Sequence, residues 1–170
     1  RNEVSNYADK GGRIMANYNN NKGNWNNNHQ NKKQNDSFNS LIKLEVIKSP
    51  LHEYYRNKEN LYMPITGVAY KEAENFKGIA SNQLRKILDE SKKARKKLES
   101  GANFEDVQNK LFSLLPLAAY NAGRDNKLNP LFEFMYIHLN KNSIQDKQDI
   151  DVFDELFTSI IAYHKYLTKR

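Results

Sequence analysis

Apolar residues recur at helical spacing from about residue 81 to the C-terminus and are sparse before residue 40. Leu84, Ile87, Leu88, Ser91, Ala94 and Leu98 fall on one face of a helix at 100° per residue. Ser81 or Asn82 is placed to cap its start, about Glu99 ends it, and Gly101 supplies the stop. Asn103 caps a second helix, with Asp106 three residues later and Phe104, Val107, Leu111, Leu114 and Leu115 turned inward. Pro116 cannot continue a straight helix without losing a hydrogen bond, which predicts a kink or a new first turn before Leu117–Ala122. Gly123 then takes the C-terminal cap. Asn129-Pro130 has the form of a cap followed by first-position proline, opening a helix to about Asn140 that holds Leu131, Phe134, Met135, Ile137, His138 and Leu139. Asp146 or Asp149 opens a last helix, with Ile150, Phe153, Leu156, Phe157, Ile160, Ile161, His164 and Leu167 as its apolar positions.

Upstream the pattern weakens. Leu41, Ile42, Leu44, Val46 and Ile47 form a short run of ambiguous type, ended by Ser49-Pro50. Leu51–Leu61 reads as a short helix stopped before Met63-Pro64, and Val68–Phe76 as another, closed by Gly78. Eleven of the twenty-three residues from 17 to 39 are Asn, too few apolar groups to offset the entropy of ordering. That segment is expected to be a mobile arm, either plainly solvated or lying on a partner through Arg13, Tyr18 and Trp25. With no paired strands in view, the expected fold is all-α, a compact bundle of about five helices with a flexible Asn-rich N-terminal extension. Its parts are the arm (1–39), an accessory segment of short helices (40–78) and the helical core (79–170).

Composition narrows the chemistry. The 170 residues carry 27 Lys and Arg against 20 Asp and Glu, a net charge of +7, which favours a polyanionic partner. The absence of cysteine excludes a disulfide framework, a thiolate zinc site and a cysteine nucleophile. No run approaches the roughly 18 apolar residues a membrane span needs, and the N-terminus lacks the apolar core of a secretory signal. The expectation is a soluble, cytoplasmic protein.

The charge is concentrated. Seven cationic residues and two acidic ones, Asp89 and Glu90, lie between Leu84 and Leu98. Arg85, Lys92 and Lys96 share one flank of the apolar stripe, and Lys86, Lys93 and Lys97 the other. Such a helix either presents a solvated face or neutralises phosphates, releasing their counterions. Arg95 projects at the stripe's edge, where it must snorkel, pair with an acid or meet a neighbouring subunit. Arg124 follows Gly123 at a helix end, where it complements the helix dipole or holds a phosphate or another subunit in its planar fork. Tyr163 and Tyr166 are expected to pack, and Lys165 to be exposed and RNA-facing.

Little here suggests catalysis. His29, His52, His138 and His164 are too far apart in sequence for a helical metal-chelating pair, and His164 reads as a boundary histidine. Asp146, Asp149, Asp151, Asp154 and Glu155 could hold Mg²⁺ for nuclease chemistry, but acids crowding a helix start have a simpler basis in the macrodipole. No phosphate-cradling glycine loop or nucleophile elbow is present. The expectation is no enzyme, no cofactor and no metal.

Three motifs remain: Ser81-Asn82-Gln83-Leu84-Arg85-Lys86, Tyr120-Asn121-Ala122-Gly123-Arg124-Asp125 and Ala162-Tyr163-His164-Lys165-Tyr166. In this order, over Ile79 to Tyr166, they resemble the small, second subunit of the Csm series in type III-A CRISPR–Cas effector complexes. The resemblance implies an all-helical, non-catalytic antiviral subunit. Copies of it would stack head to tail beside the backbone subunits, contact the CRISPR RNA–target RNA duplex through phosphates, and link to the large polymerase-like subunit. Base pairing would then read sequence. It implies Arg85, Lys86 and Arg124 as RNA-facing, with Lys92, Lys93 and Lys96 as supporting charge; Lys165 is expected to add an RNA contact, and Arg95 and Tyr120 are expected at subunit interfaces. One departure is the apolar Leu114-Leu115-Pro116-Leu117, where the family pattern carries lysine. Three rivals stay open: a stand-alone helical RNA-binding module, a type III-B small subunit and a Mg²⁺-dependent nuclease.

Overall fold

A computed structural model describes residues 43–169. The Asn-rich arm, with Arg13, Tyr18 and Trp25, lies outside the described residues, as do Leu41 and Ile42. Among the described residues there are α-helices and one 3₁₀ turn, and no strand. The helices are α1 (Leu51–Tyr54), α2 (Lys58–Tyr62), α3 (Val68–Asn75), α4 (Ser81–Glu99), α5 (Phe104–Phe112), α6 (Leu114–Arg124), α7 (Asn129–His138) and α8 (Lys147–Thr168). The 3₁₀ turn, Asn126–Leu128, joins α6 to α7.

The longest helices, α4 and α8, form the centre and run antiparallel. Ser91 donates to Asp154 from mid-α4, while Arg95, one turn later, reaches back to Asp151. The predicted apolar stripe of α4 is the buried one: Leu84, Ile87, Leu88, Ser91 and Ala94 are buried and Leu98 is half-buried. From α8, Ile150, Phe153, Leu156, Phe157 and Ile160 are buried, and Phe153 and Phe157 pack with Phe134 of α7. Phe76 closes the cluster edge-on to Phe134. Leu51, Leu61, Ala69 and Ala73 enter the same core, so the short helices of residues 40–78 are built into it.

Most helix ends follow local chemistry. Asp146 caps α8 in a reciprocal capping box with Asp149, and Asn103 caps α5 by accepting from the Glu105 N–H. Gly101 has φ +88°, and its N–H and that of Ala102 close back on Leu98 and Lys97. This is the Schellman stop that the glycine predicts. The helix break falls at Ser113, and Pro116 sits in the first turn of α6, where its missing N–H costs no intrahelical bond.

Several expectations need correction. The cap position of α4 is Ala80, with no side-chain cap, so Ser81 and Asn82 are already helical. Gly123 lies inside α6, which continues to Arg124 with Asp125 at its C-cap. Asn129 is likewise helical, and Asp125 caps the preceding 3₁₀ turn instead. The expected helix Leu51–Leu61 is two helices. Tyr55 turns into the core to meet His138, and the Asn57 side chain starts α2 by accepting from Glu59 and Asn60.

Candidate nucleic-acid interface

The site begins with the geometry of α4. Because its apolar stripe is buried against α8 and the rest of the core, every other position must face outward. Arg85, Lys86, Lys92, Lys93, Lys96 and Lys97 are all exposed. They cover the outer surface for most of the nineteen-residue helix, joined by Asp89 and Glu90. One flank, Arg85, Lys92 and Lys96, is exposed to solvent. The other, Lys86, Lys93 and Lys97, borders α5 and lines the groove between the two helices.

That groove brings in a residue the sequence reading missed. Lys110, in the last turn of α5, lines it together with Lys93, Lys97 and Glu90. Its signal in the sequence is only that of a helix-end lysine; which flank of α4 it joins depends on how α5 folds back past Gly101. Lys93 Nζ lies 2.6 Å from Glu90 Oε1. The hydrogen bond from Lys93 holds the Glu90 carboxyl below its usual range, with Lys110 and Lys97 adding to the effect.

Arg95 is accounted for within the chain. Its Nε lies 3.0 Å from Asp151 and 3.3 Å from Glu99, and its Nη1 lies 3.5 Å from the buried Asp154. The guanidinium therefore fastens α4 to α8, and its charge is largely met before it reaches the surface.

Arg124 and Tyr120 stand together at the exposed end of α6, the guanidinium 5.6 Å from the ring centroid. Tyr120 is 62% exposed and Leu117, one turn earlier, 49%. Leu117 and Asn121 line a small pocket with Gln83 and Lys86, so the α6 stripe that carries Arg124 begins beside the N-terminal end of the cationic surface. Lys165 is exposed near the end of α8. Tyr163 packs on Tyr70 and donates to the Tyr62 carbonyl, as a packing tyrosine should. Tyr166 is 52% exposed. His164 is fully buried rather than at a boundary, its Nε2 3.1 Å from the Phe76 carbonyl.

The acids considered for Mg²⁺ each have a structural partner. Both oxygens of Asp149 are occupied: Oδ1 accepts from the N–H and the Nδ1 of His52, and Oδ2 from the N–H groups of Gln145 and Asp146. Asp146 is a cap, Asp151 and Asp154 pair with Arg95, and Glu155 meets Lys58 and Tyr62. His52, Asp146 and Asp149 do lie close enough to share an ion. A metal there would have to displace His52 from Asp149.

The sequence pattern of the family described as Csm2 Type III-A matches residues 56–170. The chain belongs to the Csm2 type III-A family. No curated protein and no solved structure matches it. As a Csm2 family member it is a small subunit of a type III-A CRISPR–Cas effector complex, which places it among other Csm subunits. The match starts at residue 56, so it takes in α2 and α3 as well as the motif-bearing helices from Ile79 onward. No helix among the described residues is long and apolar enough to cross a membrane.

Proposed function

We propose that this Csm2 chain is a non-catalytic, RNA-binding subunit that uses the outer face of α4 to hold the phosphates of the CRISPR RNA–target RNA duplex. The observation that carries the reading is the sidedness of α4: its apolar stripe is fully used by the core, while six Lys and Arg side chains are left exposed along the other side. A row of point charges without base-reading side chains suits sequence-independent binding, with pairing between guide and target supplying specificity. Arg85, Lys86, Lys92, Lys93 and Lys96 form this surface, and Arg124 and Lys165 add charge near it. The protein acts in the cytoplasm, in antiviral defence.

Copies of the chain stack head to tail as a short filament that links the backbone subunits to the large polymerase-like subunit. Exposed Tyr120 and Leu117 on α6 are suited to a subunit contact, and Arg95 serves one by fixing α4 against α8. A filament subunit binds RNA weakly alone and gains by avidity on assembly.

The test is binding of the purified chain to a guide–target RNA duplex over a salt series, alone and with the backbone subunits. Weak binding that strengthens on assembly, ignores sequence and is lost in Arg85→Ala/Lys92→Ala/Lys96→Ala supports the proposal. Tight, partner-independent binding that survives those changes would favour a stand-alone RNA-binding module.

A further inference from the structure

Two lysine flanks leave α4, but only one of them opens onto a groove. Along the α4–α5 seam, Lys86, Lys93 and Lys97 stand about 10 Å and about 6 Å apart along the helix axis, at 1.5 Å rise per residue. Lys110 faces them from α5. The small side chains of Ala94 and Ala102 keep the seam open as a cavity of about 430 Å³. Asp89, Glu90 and Asp106 share the lining with these lysines, and of the three acids it is Glu90 that is bonded to Lys93, at 2.6 Å.

We propose that the α4–α5 groove is a binding site for the phosphodiester backbone of an RNA strand, and that Glu90 occupies the place of one phosphate until RNA displaces it. This rests on the RNA-binding reading above and deepens it. A carboxylate and a phosphate offer the same charged acceptor oxygens to an ammonium group, so Glu90 keeps Lys93 ordered and competes with RNA for it. The depressed protonation range of Glu90 fits a carboxylate held within a field of three lysines. Lysines spaced in a line along a seam match a repeating chain of phosphates better than the compact patch of a folded acidic partner. The groove is thereby tuned: RNA that cannot reach deeply enough to displace Glu90 gains little from Lys93.

The experiment compares Glu90→Gln with Glu105→Gln in the full chain, assembled with its backbone subunits, using a labelled guide–target RNA duplex across a salt series. Glu105 is an exposed acid in the first turn of α5, so the control removes the same charge outside the groove. Glu90→Gln is expected to tighten binding roughly three- to ten-fold beyond the control. It should also steepen the log–log salt dependence by about one phosphate contact. In a Lys93→Ala/Lys110→Ala background that gain should vanish. Equal behaviour of Glu90→Gln and Glu105→Gln, with wild-type binding still abolished by the Arg85/Lys92/Lys96 substitutions, would overturn the groove proposal and leave the wider reading standing. Failure of the wild-type assembly to depend on any of these cations would overturn both.

Discussion

Asp149 offers the sharpest test of how this fold is held. It is fully buried in the first turn of α8 and accepts four hydrogen bonds, two on each oxygen. Two come from His52, ninety-seven residues away in the sequence, and two from the backbone entering α8. Replacing it with Asn keeps the size but turns one acceptor into a donor. With its NH₂ toward Gln145 and Asp146 it faces two backbone donors; turned the other way it faces the His52 N–H, and the ring can accept from it only by giving up the Nδ1 proton. At about 1.5–3 kcal/mol for a bond to a charged group, and with part-buried backbone donors left unmet, Asp149→Asn should cost about 2–4 kcal/mol. Typical domains have about 5–15 kcal/mol in total, so the variant should be visibly fragile. Urea unfolding of the full chain measures this as a lowered midpoint at unchanged slope. A change below about 1 kcal/mol would refute the reasoning. A second readout is the imidazole of His52, whose pKa is raised chiefly by its hydrogen bond to Asp149. Its contribution to stability is present below about pH 6.5 and is lost as pH rises through the raised value. In Asp149→Asn the NMR titration of His52 should move back toward the ordinary histidine range.

Two further predictions concern other elements. Gly123 is exposed within α6, and a Cβ added there would meet nothing within 4 Å, so Gly123→Ala should stabilise the isolated chain by about 0.5–1 kcal/mol; an unchanged or lowered thermal midpoint would contradict this. His138 is buried between Tyr55 and the Phe134 carbonyl, and burial pushes its pKa down to about 4. Its neutral form is the one that fits, so its share of stability is whole above about pH 6.5 and falls as pH drops toward 4. The loss is about 2 kcal/mol by pH 5. His52 changes its contribution only above about pH 6.5, outside that range, so the comparison is with His138→Phe, which should lack the acid-side loss expected of the wild-type chain.

What could be read from the sequence was mostly what helices decide locally. Stripes, caps and stops are set by residues within one or two turns, so α4, α5 and α8 and the break ahead of Pro116 were legible in Leu84–Leu98, Asn103, Gly101 and Asp146. The errors came where tertiary contacts override that grammar. Tyr55 breaks a plausible helix because its ring and hydroxyl are worth more against His138 in the core than on a solvated turn. Asn57 carried the signal for the restart, being a side-chain cap. Gly123 looked like a stop because glycine usually is one, yet helical bonds to Arg124 and Asp125 carry α6 past it. At the candidate site, the cationic face of α4 was legible because its apolar stripe fixed which residues face out. The partners of Arg95 and the place of Lys110 were not, since both depend on helices that meet only after the chain has turned back on itself.

The central claim is that RNA lies on the outer face of α4. Mapping photo-crosslinks between this chain and the guide–target duplex in the reconstituted complex tests it most directly. The account predicts crosslinked peptides from Arg85 to Lys97, together with Lys110, and their loss when Arg85, Lys92 and Lys96 are all alanine. A complex that assembles fully, yet places its RNA crosslinks elsewhere on the chain and none on α4, would contradict it.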